Sequence, residues 1–488
     1  MTDRTREGVE LPAGVAGSRL LFEQLRRVAD GAEGAYAEAL PADSRAFRKD
    51  YGEALARFEA VRAGRPDRTA HAVTLARSGE AALVFAGTDG DCSLAEALAA
   101  PADALRLETQ RFPGAGGLLP ALPLSEPRFG ADGVESAVGQ LLDEGRLTES
   151  AAGAIGWSLD RARTDGGELD LRGEQFAILG AAAELAPTKL LLEAGARVLW
   201  IDRVAPPAGL EKESGLSGEL CWVGDGADLL TQPAEISQTV AAFAGDSPVH
   251  LGLYAYAPGA AREWRLAVAM NAIADATPAT VASISMLISP TSPAVLEPED
   301  RQAARARREE RPLWQSALDA MARFPEGVYE CGELAVPRSL VSIQGTAYQA
   351  AQYLAKRLPA EAWLAEGLGG RRIAVSANVA PISHTRSLSH PVFNAAFGGA
   401  RAFGVDTYPA PITRALMAWL MLHDVLNPDA PGAATASGSA ADRARKASGQ
   451  QVHGGLFGLP YALEPALRYA AVIGFARRPG LLASFLRR

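Results

Sequence analysis

Phe176-Ala177-Ile178-Leu179-Gly180-Ala181-Ala182-Ala183-Glu184-Leu185-Ala186-Pro187 opens the stretch whose reading decides the fold. A helical run then ends at Gly195, and Val198-Leu199-Trp200-Ile201-Asp202 closes it. Four apolar residues stopped by a glycine read as a buried strand, and the second run reads the same way. Pro187 to Glu193 reads as the helix between them. The pattern repeats downstream, with strands at His250–Tyr254, Val281–Ile288 and Ile373–Val379 and helical segments between them. Strands alternating with helices imply a parallel sheet covered on both faces.

Upstream, residues 1–165 read as a mainly helical region, with helical spacing at Leu20–Val28, Tyr51–Val61, Val134–Leu142 and Thr148–Ala162. A Pro/Gly-rich stretch, Phe112–Pro127, interrupts it, and Asp165-Gly166-Gly167 marks a boundary. This first third carries no chemical motif. Downstream, residues 430–450, rich in Ala, Gly and Ser, read as a loop. The apolar, Arg-punctuated end from Leu463 to Arg488 reads as a helix docked on the core, with a membrane-surface helix as the alternative.

The chain has 488 residues, 48% of them hydrophobic and 22% charged, which is globular composition and allows two or three domains. A net charge of −9 argues against a general nucleic-acid binder. Three widely spaced cysteines, Cys92, Cys221 and Cys331, form neither a disulfide framework nor a metal motif, and they suit a reducing cytoplasm. Met1–Glu10 is polar, so no secretory signal is expected, and no apolar run is long enough to span a membrane.

Gly180 and Asp202 make the stretch specific. A nucleotide-binding turn after a first strand must be tight, so that a diphosphate can approach main-chain N–H groups at a helix N-terminus. A carboxylate after the second strand then takes the ribose hydroxyls, and Asp202 follows Gly180 by 22 residues, close to the usual spacing of about 20. A strand-end Asp read alone is equally a turn cap.

With further segments in order, residues 172–400 resemble the short-chain dehydrogenase/reductase family. Gly180–Ala186 lies where that family has its glycine turn. Asp228-Leu229-Leu230-Thr231-Gln232-Pro233-Ala234-Glu235 is similar to its segment after the third strand. Tyr254–Gly259 follows the fourth strand, Asn271 sits in the next helix, and Ser289 ends the fifth. Tyr348-Gln349-Ala350-Ala351-Gln352 stands in place of the catalytic Tyr-xxx-Lys, and Arg372–Thr385 matches the sixth strand and its loop. The resemblance implies a Rossmann-like, doubly wound parallel sheet over about residues 166–488 and an NAD(P)-dependent oxidoreductase acting on a carbonyl or alcohol of a small molecule. It assigns Asp202 to ribose, Asp228 to adenine, Tyr348 to proton donation, Ser289 to the substrate oxygen, Asn271 to structural support and Thr385 to the nicotinamide. It also implies a homodimer. Asp202 favours NAD, while the adjacent Arg203 leaves NADP open.

Three departures stand out. Glu184 and Ala186 replace two turn glycines, and a carboxylate there either repels a phosphate or caps its own helix. Gln352 replaces the lysine that lowers the tyrosine pKa, so Tyr348 is a poor base and a better acid; a register shift bringing Tyr353 or Lys356 into play is the alternative. Ser289 and Tyr348 stand 59 positions apart, an insertion of about 290–339 placed to overhang the pocket as a lid. It holds a charged helix, Glu299–Arg323, whose Arg301, Arg305 and Arg308 read as a solvated face paired with Glu309 and Glu310, or as an anion-binding face.

His384, Thr385 and Arg386 share a loop on the cofactor side, where Arg386 suits a phosphate or carboxylate. His423 suits a helix C-terminus, and His453 a turn or, as the alternative, the pocket lining. No two histidines have metal spacing. The competing readings are a non-redox relative of the same fold that binds a ligand or partner or catalyses a reaction without hydride transfer, and a scaffold subunit assembled through its first 165 residues.

Overall fold

The computed structural model describes residues 7–480 except 33, 89, 115–132, 165–168, 214, 386, 387 and 389. The Asp165-Gly166-Gly167 boundary, Arg386, the chain ends, and Phe112–Pro127 beyond residue 114 therefore lie outside the described residues. The chain is an α/β protein built on a seven-stranded, mostly parallel sheet. Its strands are β1 (Leu107–Arg111), β2 (Gln175–Leu179), β3 (Arg197–Ile201), β4 (Glu219–Val223), β5 (Val249–Leu253), β6 (Val281–Ile288) and β7 (Ala374–Val379). They lie in the order β7-β6-β5-β2-β3-β4-β1. The six parallel strands thus reverse direction of progress between β2 and β5 (order 3-2-1-4-5-6), and β1 adds an antiparallel edge, Thr109 opposite Cys221.

Side-chain alternation explains why these strands read as continuous apolar runs. Phe176 and Ile178 of β2, with Val198 and Trp200 of β3, face one layer, which includes Leu191 and Leu192 of α6 (Thr188–Glu193) and Leu416 and Leu420 of α13 (Ala410–Leu426). Ala177 and Leu179, with Leu199 and Ile201, face the other, where they meet Ile236 and Phe243 of α7 (Pro233–Ala244), Met270 and Ile273 of α8 (Arg262–Ala276), and Trp363 of α12 (Leu358–Glu366). A strand buried on both sides has no polar face to alternate with.

The N-terminal third is tied to this sheet. Helices α1 (Gly17–Gly31), α2 (Ser44–Ala63) and α3 (Arg68–Ala81) share one core with α8, α11 (Thr346–Gln352) and the segment that follows α11. In that core Leu25, Leu55 and Phe58 pack with Trp264, Tyr353 and Leu358. Helices α4 (Gly133–Asp143) and α5 (Glu149–Thr164) join the opposite layer through Leu141 and Ile155.

Two expectations are corrected. The helix read across Glu299–Arg323 is two helices, α9 (Pro298–Glu309) and α10 (Leu313–Ala322), because Pro312 cannot continue the first. The loop read at 430–450 contains α14 (Ala440–Ser448), whose Ser439 cap accepts from the Asp442 amide at 3.1 Å. The C-terminal helix α15 (Leu463–Arg477) docks on Pro391–Ala400 so closely that a methyl on Gly399 would overlap the Ala470 carbonyl. The insertion packs into the same core as this C-terminal extension, with Phe324 and Leu296 against Phe457 and Leu467. No helix among the described residues is long and apolar enough to cross a membrane.

Candidate functional site

The C-terminal ends of the strands gather most of the residues singled out in the sequence. Gly180 follows β2 with φ +88°, and a methyl there would overlap the Ala255 backbone, so only glycine lets the loops after β2 and β5 touch. The Tyr254 and Ala255 amides both donate to the Leu179 carbonyl, at 2.8 and 2.9 Å. Gly180 through Ala186 makes successive turns, and α6 begins only at Thr188. Glu184 is exposed and lies ahead of the helix, so it does not cap that helix's first turn.

The acids at the first crevice are partly engaged within the chain. Asp202 Oδ2 accepts from the Ala182 amide at 3.0 Å, and Asp228 Oδ1 accepts from the Leu230 amide at 2.9 Å. The Arg203 guanidinium pairs with Asp228 at 3.3 Å. A cation not foreseen from the sequence, Arg414 of α13, donates through Nη1 to the Glu184 carbonyl at 3.2 Å. Thr385 closes a local turn, donating to Ser383 O at 2.8 Å and accepting from Leu388 N at 3.0 Å.

The second half of the site is more compact. Ser289, just past β6, has its amide bound by Gln352 Oε1 at 2.9 Å and its hydroxyl paired with Thr291 Oγ1 at 2.8 Å. Burial pushes the Tyr348 phenol up; the Ser289 and Thr291 hydroxyls beside it pull the other way, while Glu263 of α8 pushes further up. Tyr348, Ser289 and Gln352 are thus brought together. Gln352 holds the strand end through the Ser289 amide.

A cation reaches the same strand end from the following turn. Tyr353–Arg357 is a π-helical turn between α11 and α12. A π turn takes in one extra residue, so Lys356, eight positions after Tyr348, lies about seven α-helical steps along, or two turns of 3.6. Its Nζ donates to Leu287 O, two residues before Ser289, at 3.0 Å. Burial pushes the ammonium down to about 8, with Glu263 opposing. Asn271 of α8 donates to Ala355 O at 2.8 Å, a carbonyl inside the π turn. Glu263 faces Tyr348, Lys356 and Tyr256, whose phenol burial also pushes up.

The histidines stand apart from this centre. His423 pairs with Asp424 at 3.0 Å at the end of α13, and His453 is buried against Asp300 at 2.8 Å. His384 contacts the Thr407 hydroxyl at 2.8 Å. No group of metal-ligating side chains occurs among the described residues.

No known family model matches the chain, and no curated protein matches it. A nicotinamide dinucleotide needs an acceptor for a ribose diol, small side chains under a diphosphate, and a cation near it. Asp202, the methyls of Ala181–Ala183 and Arg414 supply these, and Glu184 is the discordant charge. The residues present fit the group.

Proposed function

We propose that this chain carries a Rossmann-like, doubly wound domain related to the short-chain dehydrogenases/reductases. In this reading it is an NAD(P)-dependent oxidoreductase acting on a carbonyl or alcohol of a small molecule. The observation that carries the proposal is the convergence of Ser289, Tyr348 and Lys356 beside the end of β6. Asp202 would hold the adenosine ribose, Asp228 with Arg203 the adenine side, Arg414 a phosphate, and Thr385 the nicotinamide side. The bound dinucleotide supplies the hydride. Tyr348, kept protonated by its surroundings, donates a proton to the substrate oxygen, and Ser289 holds that oxygen by a hydrogen bond. Lys356 places a positive charge near the centre below about pH 8. The same reading makes the protein a cytoplasmic homodimer.

A second reading is kept by one observation: the Ala182 amide, which a diphosphate would use, already donates to Asp202. In that case the chain is a non-redox relative binding another ligand. Fluorescence titration with NADH and NADPH separates the two. We expect saturable binding of one of them, weakened in Asp202→Ala. With that dinucleotide and a panel of aldehydes and ketones, Tyr348→Phe should lower turnover by about 10²–10⁴-fold while leaving dinucleotide affinity unchanged. Absence of binding of both dinucleotides at millimolar concentration would remove the redox reading.

A further inference from the structure

Behind the reaction centre, Glu59 and Arg62 of α2, Arg68 of α3, Arg357 of the π turn and Glu361 of α12 converge on a cavity of about 30 Å³. That is room for about two water-sized spheres. Arg62 is saturated. Its Nε and Nη2 donate to Glu59 at 2.7 and 2.9 Å, Nη2 also reaches Glu361 Oε2 at 2.8 Å, and Nη1 donates to Arg68 O at 2.8 Å and Glu361 Oε1 at 3.1 Å. Arg68 grips the same Glu361 carboxylate at 3.0 and 3.3 Å, and the Tyr353 hydroxyl donates to Glu59 at 2.6 Å. Both carboxylates are thereby occupied.

Arg357 lines the same cavity and is only 6% exposed, yet its Nε and Nη2 have no hydrogen-bond partner. Three guanidiniums face two carboxylates, which leaves one positive charge unmatched around a buried Arg357. Buried N–H groups without a partner point to a bound water or ion, and a buried charge needs a counter-charge. Water would satisfy the N–H groups but not the charge. A small anion satisfies both, and the cavity is too small for an organic acid.

We infer that this cavity binds a small monovalent inorganic anion of the halide class against Arg357. The anion joins the N-terminal helices α2 and α3 to the π turn that carries Lys356. This site is independent of any dinucleotide. The test uses the full chain. Its thermal midpoint is measured while gluconate is replaced by chloride, bromide or sulfate at constant ionic strength, and wild-type crystals are grown in bromide. We expect a saturable rise with chloride and bromide, little change with sulfate, loss of the halide dependence in Arg357→Gln, and an anomalous bromine peak in the cavity. Equal midpoints in gluconate and halide, an equal rise with sulfate, or water density in place of a bromine peak would overturn it. If Arg357→Gln fails to fold, the wild-type bromide map decides alone.

Discussion

Lys356 has two opposed consequences. Its ammonium is held at about 8 in the fold, against about 10.4 for a free lysine. Between these values the unfolded chain binds the extra proton, so stability rises as pH increases through the window. At neutral pH the protonated side chain destabilises the fold. Lys356→Met should therefore raise stability at pH 7 by up to about 3 kcal/mol, read as a higher thermal midpoint, and flatten the stability profile from pH 8 to 10. The same variant should lose most turnover. A midpoint that falls instead would show that the packing of the lysine stem outweighs the buried charge.

At the scale of the element, the π turn decides where that charge goes. Asn271 reaches from α8 to a carbonyl of the turn. Removing a partner from a buried polar group costs about 1–3 kcal/mol. Asn271→Ala should lower stability by that much in a denaturant melt and should shift the upper limb of the pH–rate profile, since the lysine it positions will have moved. The strand–glycine–helix–strand order was legible because β2 and β3 are buried on both faces and carry no polar interruptions. Ser289 and Tyr348 were legible through the resemblance. Lys356 was not assignable, because helical periodicity counts every residue equally and a π turn does not. Arg414 stands 230 positions from the loop it contacts, a juxtaposition no local pattern announces. Strand β1, Leu-Glu-Thr-Gln-Arg, lies at the sheet edge with mostly solvent-facing side chains, so it shows no apolar run.

At the scale of the whole molecule, residues 1–165 share two hydrophobic cores with the residues that follow. The first region supplies the edge strand beside β4 and most of the core around Trp264 and Tyr353. A fragment beginning at residue 166 should expose that core and the open edge of β4. We expect it to aggregate or to bind a hydrophobic dye strongly, whereas the full chain stays monodisperse in light scattering. A soluble, cooperatively melting fragment would show that the sheet stands alone.

The buried knot of arginines and glutamates also sets an order on synthesis. Arg62 leaves the ribosome 299 residues ahead of Glu361, so the first helices wait with apolar flanks and a guanidinium paired only with its helix neighbour Glu59 until Glu361 has been made. Contacts of such long sequence separation form slowly and late. Helices made well before their partner are among the last to be sealed, which makes them the place where a chaperone would engage.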